Sequence, residues 1–250
     1  MSNDEAPQPI AVGKPTVVLV HGAFAESASW NGVIADLDRL GYPTIAVANP
    51  LRGLDEDAAY LRSLLDSIGG SIVLAGHSYG GSVMSEAADG HPDVKALIYV
   101  ASFQLEAGES TGGLAAKFPG GELGLALKSV VYGTPDAAGT GRDLYIQPEK
   151  FQEVFAADVP ADVARLMAAA QRPIEATALE DVATKVAWRT IPSWALITTQ
   201  DLAVPAEAQR FMSERAGSTV VEVDASHAVT VSKPDVVAEL INEAAVATLD

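Results

Sequence analysis

Short apolar runs rich in β-branched residues alternate along this chain with stretches whose apolar residues recur every three or four positions. The runs are Thr16–Val20 (TVVLV), residues 43–47 (PTIAV), residues 71–75 (SIVLA), Val94–Val100 (VKALIYV), Ser193–Thr198 (SWALIT) and Thr219–Val223 (TVVEV). Most are apolar at every position, which suits strands of a parallel sheet covered on both faces. Between them, Trp30, Val33, Ile34 and Leu37 fall at helical spacing, as do Leu61, Leu64, Leu65 and Ile68, and each set predicts a helix with one buried stripe. Near the end, Ser232 followed by Pro234 predicts a capped helix start, with Val237, Leu240, Ile241 and Ala244 facing inward.

The alternation breaks once. Residues 104–187 hold no convincing strand, two Gly/Pro-rich patches (TGGLAAKFPGGELG and YGTPDAAGTG) and helical segments such as VPADVARLMAAA. About eighty residues between two strands is too long for a loop, so a mostly helical cap is expected there. The division that follows is a core of residues 14–103 and 188–250, a cap of residues 104–187, and a flexible tail over residues 1–13.

Length changes little in this picture: 250 residues bury a sizeable core as one large domain. Charge changes more. A formal net charge of -17 leaves no basic field, so neither nucleic acid nor a membrane surface is an expected partner. With no cysteine, disulfides, thiolate metal sites and cysteine nucleophiles are excluded. The N-terminus MSNDEAPQPIAVGKP has neither a basic nor an apolar region of the secretory kind, and no apolar run reaches membrane-spanning length, so a cytoplasmic location is expected.

Candidate chemistry begins at residues 76–80, GHSYG. The five residues alone are weak, because glycine and serine are common. Their context is stronger: Ser78 follows the strand SIVLAG and opens the helix SVMSEAA, as a nucleophile on a tight strand-to-helix turn requires. A serine hydroxyl needs a base, and the chain has four histidines. His77 adjoins the nucleophile and is expected to point away from it; His91, in ADGHPD, is expected to be solvated; His21 ends the first strand. His227 lies just beyond the last strand, where a loop can carry its imidazole over the sheet edge. For the acid that orients the base, Asp201 follows a strand directly, and the interval to His227 holds one helix and one strand. Asp224 and Glu106 are rivals: Asp224 shares the His227 loop, and Glu106 lies beyond Phe103 and Gln104 at another strand exit. Order and spacing favour Ser78, Asp201 and His227. The stretch HGAFAESASW can turn backbone N–H groups toward an oxyanion, which points to the N–H of Ala23 together with that of Tyr79, with Phe24 as a substitute donor. Phe24 and Phe103 are candidate pocket residues, and no metal or cofactor motif is present.

The motifs VLVHGAF, AGHSYGG, IPSWALITTQD and VDASHAV, in this order, resemble the α/β-hydrolase fold superfamily. More narrowly the chain is similar to the group of small bacterial esterases, plant methyl-ester esterases of the salicylate-binding type and plant hydroxynitrile lyases. The resemblance implies a mostly parallel sheet with helices on both faces and a helical cap inserted after the strand ending near Val100. It also implies hydrolysis of a small or medium apolar carboxylic ester through an acyl-enzyme, with no cofactor, and leaves a homodimer open. Two other activities occur on this scaffold: carbon–carbon lysis of the hydroxynitrile type and ligand binding without turnover. In the plant lyases a threonine follows the first-motif histidine and a lysine follows the catalytic one; here those positions are Gly22 and Ala228.

Overall fold

The computed structural model describes residues 13–133 and 139–248, so the expected tail over residues 1–13 lies outside the described residues except for Gly13. In chain order the strands are β1 (Thr16–Val20), β2 (Thr44–Val47), β3 (Ile72–His77), β4 (Val94–Val100), β5 (Leu127–Gly133), β6 (Thr140–Ile146), β7 (Ile174–Glu175), β8 (Ser193–Thr198) and β9 (Thr219–Val223). Six of them form one parallel sheet in the order β2-β1-β3-β4-β8-β9. The helices that interleave with it are α1 (Asn31–Arg39), α2 (Leu54–Leu65) and α3 (Tyr79–Ala88) before β4.

Strand periodicity sends successive side chains to opposite faces, so an all-apolar strand feeds two cores. Val18, Leu74 and Leu97 join Leu61, Leu65, Val83 and Met84 on one side of the sheet. Val17, Leu19, Val73, Ala75 and Ile98 join Trp30, Val33 and Leu37 of the α1 region on the other. This explains why β1, β3 and β4 have no polar face to show.

The segment between β4 and β8 carries helices α4 (Thr111–Ala115), α5 (Leu123–Ala126), α6 (Pro148–Phe155) and α7 (Ala161–Ala170). It also holds a second, antiparallel sheet of order β5-β6-β7, which corrects the expectation of a strandless, mostly helical cap. In LKSVVYG most side chains are exposed, and TGRDLYI carries Gly, Arg and Asp after its first residue; neither segment has the continuous apolar run that marks the core strands, and the cross-strand pairing makes them strands.

Polar side chains tie this segment to the core. The buried Glu86 carboxylate of α3 accepts the Lys185 N–H at 2.9 Å, the Thr184 hydroxyl at 3.0 Å and the Thr184 N–H. Arg52 donates to Asp143 at 2.8 Å and to the Pro173 carbonyl at 3.1 Å. Asp181 accepts the Leu54 N–H at 2.9 Å, at the start of α2.

After β8 come α8 (Ala206–Ala216), β9, a short α9 (Val229–Ser232) and α10 (Pro234–Ala247). Pro234 opens α10 as expected, but Ser232 does not cap it: it belongs to the separate turn α9, and its buried hydroxyl has no partner among the described residues. Val237, Leu240, Ile241 and Ala244 do face the core. Among the described residues no helix is long and apolar enough to cross a membrane.

Candidate active site

Ser78 sits between the last residue of β3 and the first of α3, with φ 54° and ψ -127°. A left-handed backbone at a residue with a Cβ is strained, and it persists only where the surroundings impose it. Here they do. A Cβ on Gly76 would lie 2.7 Å from the Gly80 carbonyl oxygen and the Gly81 nitrogen, and one on Gly80 would strike the Val20 carbonyl. Glycine at both positions lets α3 start directly against β1 and β3. The Ser78 carbonyl accepts the Gly81 N–H at 3.0 Å and the Ser102 hydroxyl at 2.6 Å, which pins the turn from behind.

Across the sheet edge, Asp201 and His227 meet. His227 Nδ1 lies 2.7 Å from Asp201 Oδ2, with both side chains buried. The same Oδ2 accepts the Thr198 hydroxyl at 2.8 Å and the Gln209 amide at 3.1 Å, while Oδ1 accepts the N–H groups of Ala203 and Val204 at 2.8 Å each. With the acceptor Asp201 on its Nδ1 side, the imidazole carries its proton there and its lone pair on Nε2. The loop that carries it is held by the Ala228 N–H, which donates to the Phe155 carbonyl at 2.9 Å, and by the Ser226 hydroxyl, which bonds Asp158.

Ser78 and His227 line one cavity of about 470 Å³, and so do Ala23, Phe24, Tyr79 and Phe103. That volume suits a small organic molecule. The rest of its wall comes mainly from residues 111–127 and from Phe155, Leu179 and residues 203–205, with no charged side chain among the described residues. Phe155 packs edge-on to the His227 ring at 4.8 Å between centroids.

Two residues of the cavity wall, Tyr79 and Ala23, have backbone N–H groups without an acceptor among the described residues. Tyr79 is the first residue of α3, where an N–H has no intrahelical acceptor. The Phe24 N–H, the substitute donor of the sequence reading, is engaged: it donates to the Arg172 carbonyl at 3.0 Å. The Tyr79 hydroxyl donates to Asp57 at 2.9 Å, and burial, with the Asp57 charge beside it, pushes that phenol far above its usual range.

The other histidines are all buried. His77 is not among the residues that line the Ser78 cavity; its Nε2 lies 2.8 Å from the His227 carbonyl, and the two rings are 4.6 Å apart. Burial first, and the adjacent His227 second, hold its pKa well below the ordinary histidine value. His91 is buried, not solvated; its Nδ1 accepts the Asp93 N–H at 3.2 Å and its Nε2 is 3.4 Å from Asp66. The rival acids stay outside the site: Asp224 is exposed, and Glu106 pairs with Arg189. Thr198, Gln209, Asp57 and Phe155 escaped the sequence reading; Thr198 alone had a signal, three residues before Asp201 at the strand end. Among the described residues no three His, Asp or Glu side chains converge as a metal site requires.

Comparison with known proteins places the chain. A relative described as alpha/beta hydrolase nvfD, from Aspergillus novofumigatus, is 28% identical over 93% of this chain and 97% of its own. Esterase PIR7B of Oryza sativa subsp. japonica is 27% identical over 88% of this chain and 92% of its own. The crystal structure of polyneuridine aldehyde esterase superposes with a TM-score of 0.78, covering 92% of this chain and 98% of that one, at 20% identity, a likeness of fold. The model of the alpha/beta hydrolase family matches residues 17–240, and the chain belongs to that family.

Proposed function

We propose that this protein hydrolyses a carboxylic ester of a small or medium apolar substrate through an acyl-enzyme on Ser78. The Ser78 hydroxyl attacks the ester carbonyl carbon while His227 Nε2 takes its proton, and Asp201 holds the imidazolium that forms. The carbonyl oxygen becomes an oxyanion held by the N–H groups of Ala23 and Tyr79. Collapse expels the alcohol, which leaves with the proton from His227. Water then attacks the acyl-enzyme with His227 again as base, and the acid departs. Relatives named as esterase and hydrolase, at 27% identity over most of the chain, support ester hydrolysis as the reaction class.

The observation that carries the proposal is the strained Ser78 facing one cavity with an imidazole buttressed by a buried carboxylate. A series of p-nitrophenyl esters of increasing chain length, assayed with wild type and Ser78→Ala, tests it. Turnover and fluorophosphonate labelling should both vanish in the variant while the fold is retained. Persistent hydrolysis in Ser78→Ala would sink the mechanism.

The lyase alternative finds less support. A Cβ on Gly22 would sit 2.7 Å from the His77 carbonyl and from Ser78 Cβ, so this backbone has no room for the lyase threonine. Ala228 offers no ammonium for departing cyanide. Mandelonitrile should release little or no cyanide beside ready hydrolysis of p-nitrophenyl acetate; efficient Ser78-dependent cyanide release with negligible ester turnover would reverse the assignment.

A further inference from the structure

His21 is the last residue before the loop that supplies the Ala23 N–H, and it is fully buried. Its Nε2 lies 3.1 Å from the backbone nitrogen of Asn49. A backbone N–H can only donate, so Nε2 is the acceptor and the ring proton is on Nδ1. Nδ1 in turn lies 2.9 Å from the Gly22 carbonyl oxygen, to which it must donate. The tautomer is thus settled by the fold.

The Gly22 carbonyl and the Ala23 N–H belong to one peptide unit. No cis bond occurs among the described residues, and in a planar trans peptide the C=O and N–H point in opposite directions. Whatever grips the carbonyl therefore aims the N–H the other way. Two further contacts fix where that is. Gly22 packs so tightly on the His77–Ser78 backbone that a Cβ there has no room, which sets this peptide beside the nucleophile. The following residue, Phe24, has φ 60° and sends its own N–H to the Arg172 carbonyl, leaving Ala23 on the cavity wall.

We propose that His21 is a positioning residue for the reaction: its Nδ1–H holds the Gly22 carbonyl and so aims the Ala23 N–H at the oxyanion. The inference rests on the hydrolase mechanism proposed above. Burial lowers the His21 pKa to about 4, so the ring keeps its single-proton form and both contacts at neutral pH.

Two substitutions separate the ring's two contacts. The amide nitrogen of His21→Asn replaces Nδ1 and keeps the bond to Gly22, while the longer side chain of His21→Gln replaces Nε2 and keeps the bond to Asn49. Each variant is measured for kcat and KM on p-nitrophenyl butyrate, for inhibition by phenylboronic acid, whose tetrahedral serine adduct presents an oxygen to the same donors, and for thermal midpoint. His21→Gln should lose about tenfold or more in kcat with KM nearly unchanged, and boronate affinity should fall in step. His21→Asn should stay within about threefold of wild type in both.

A kcat for His21→Gln equal to or above that of His21→Asn overturns the proposal, as do losses in both that merely follow the thermal midpoint. Should both variants fold poorly, Asn49→Ala decides. It removes the 3.0 Å bond from the Asn49 amide to the His21 carbonyl, loosening the same loop without touching the Gly22 carbonyl. Unchanged kcat there supports the inference, and a loss of tenfold or more refutes it. Absence of any Ser78-dependent turnover in wild type is a different failure: it removes the hydrolase mechanism, and this inference with it.

Discussion

Asp201 accepts from a threonine hydroxyl, a glutamine amide, two backbone N–H groups and His227, so its carboxylate has one orientation open to it. Asp201→Asn keeps the shape but lets an amide N–H face His227 Nδ1, which shifts the ring proton to Nε2 and removes the lone pair that Ser78 needs. A fall in kcat of about a thousandfold or more is expected for p-nitrophenyl butyrate. The exposed Asp224, changed to Asn, should leave kcat within about twofold, and the opposite ranking would move the acid role to it. Ser78, Asp201 and His227 were readable in the sequence because each follows a strand, and strand exits in a parallel sheet share one edge. Gln209 and Asp57 were not, because each reaches the site from a helix whose facing is decided by packing. His91 was misread as solvated because the burial of a side chain in a polar turn depends on what the rest of the chain packs over it.

The turn from β3 into α3 works only if backbone touches backbone, and this makes its glycines unequal to others in the chain. Gly76→Ala puts a methyl group 2.7 Å from main-chain atoms that belong to α3 itself, and should cost about 2 kcal/mol or more. Gly69→Ala meets nothing within 4 Å and needs no left-handed backbone, so its effect should stay within about 0.5 kcal/mol. Urea midpoints of the two variants provide the check, and similar values would disprove the close-packed turn. The core strands were legible because burial on both faces leaves an unbroken apolar run. The sheet of β5, β6 and β7 was not: Leu127–Gly133 is largely exposed, β7 has two residues, and such segments become strands through their partners.

Taken whole, the fold encloses two histidines that must stay neutral. The His21 pKa falls to about 4 by burial, against an ordinary 6.5, and His77 is held well below that value by burial and by His227. Below pH 6.5 the unfolded chain binds protons that the folded chain refuses, so this stabilisation is complete above pH 6.5 and is lost as pH falls toward 4. For His21 alone the span is worth about 3 kcal/mol. Carboxylates remain largely ionised down to pH 5, so the surface charge of -17 changes little across the upper part of this window and the histidines dominate there. The urea midpoint should therefore drop between pH 7.5 and 5, and His21→Asn should flatten the drop; a midpoint constant over that range would contradict the burial of neutral rings.

The uncharged wall around Ser78 acts a second time, after the chemistry. An ester enters as a neutral molecule, but its acyl half leaves as an anion at neutral pH. Among the described residues no lysine or arginine lines the chamber to retain it, and desolvating an unpaired carboxylate is costly. On the proposed mechanism each cycle thus ends in a change of charge that favours release, and the free acid is expected to inhibit weakly; strong inhibition of p-nitrophenyl butyrate hydrolysis by butyrate would contradict this.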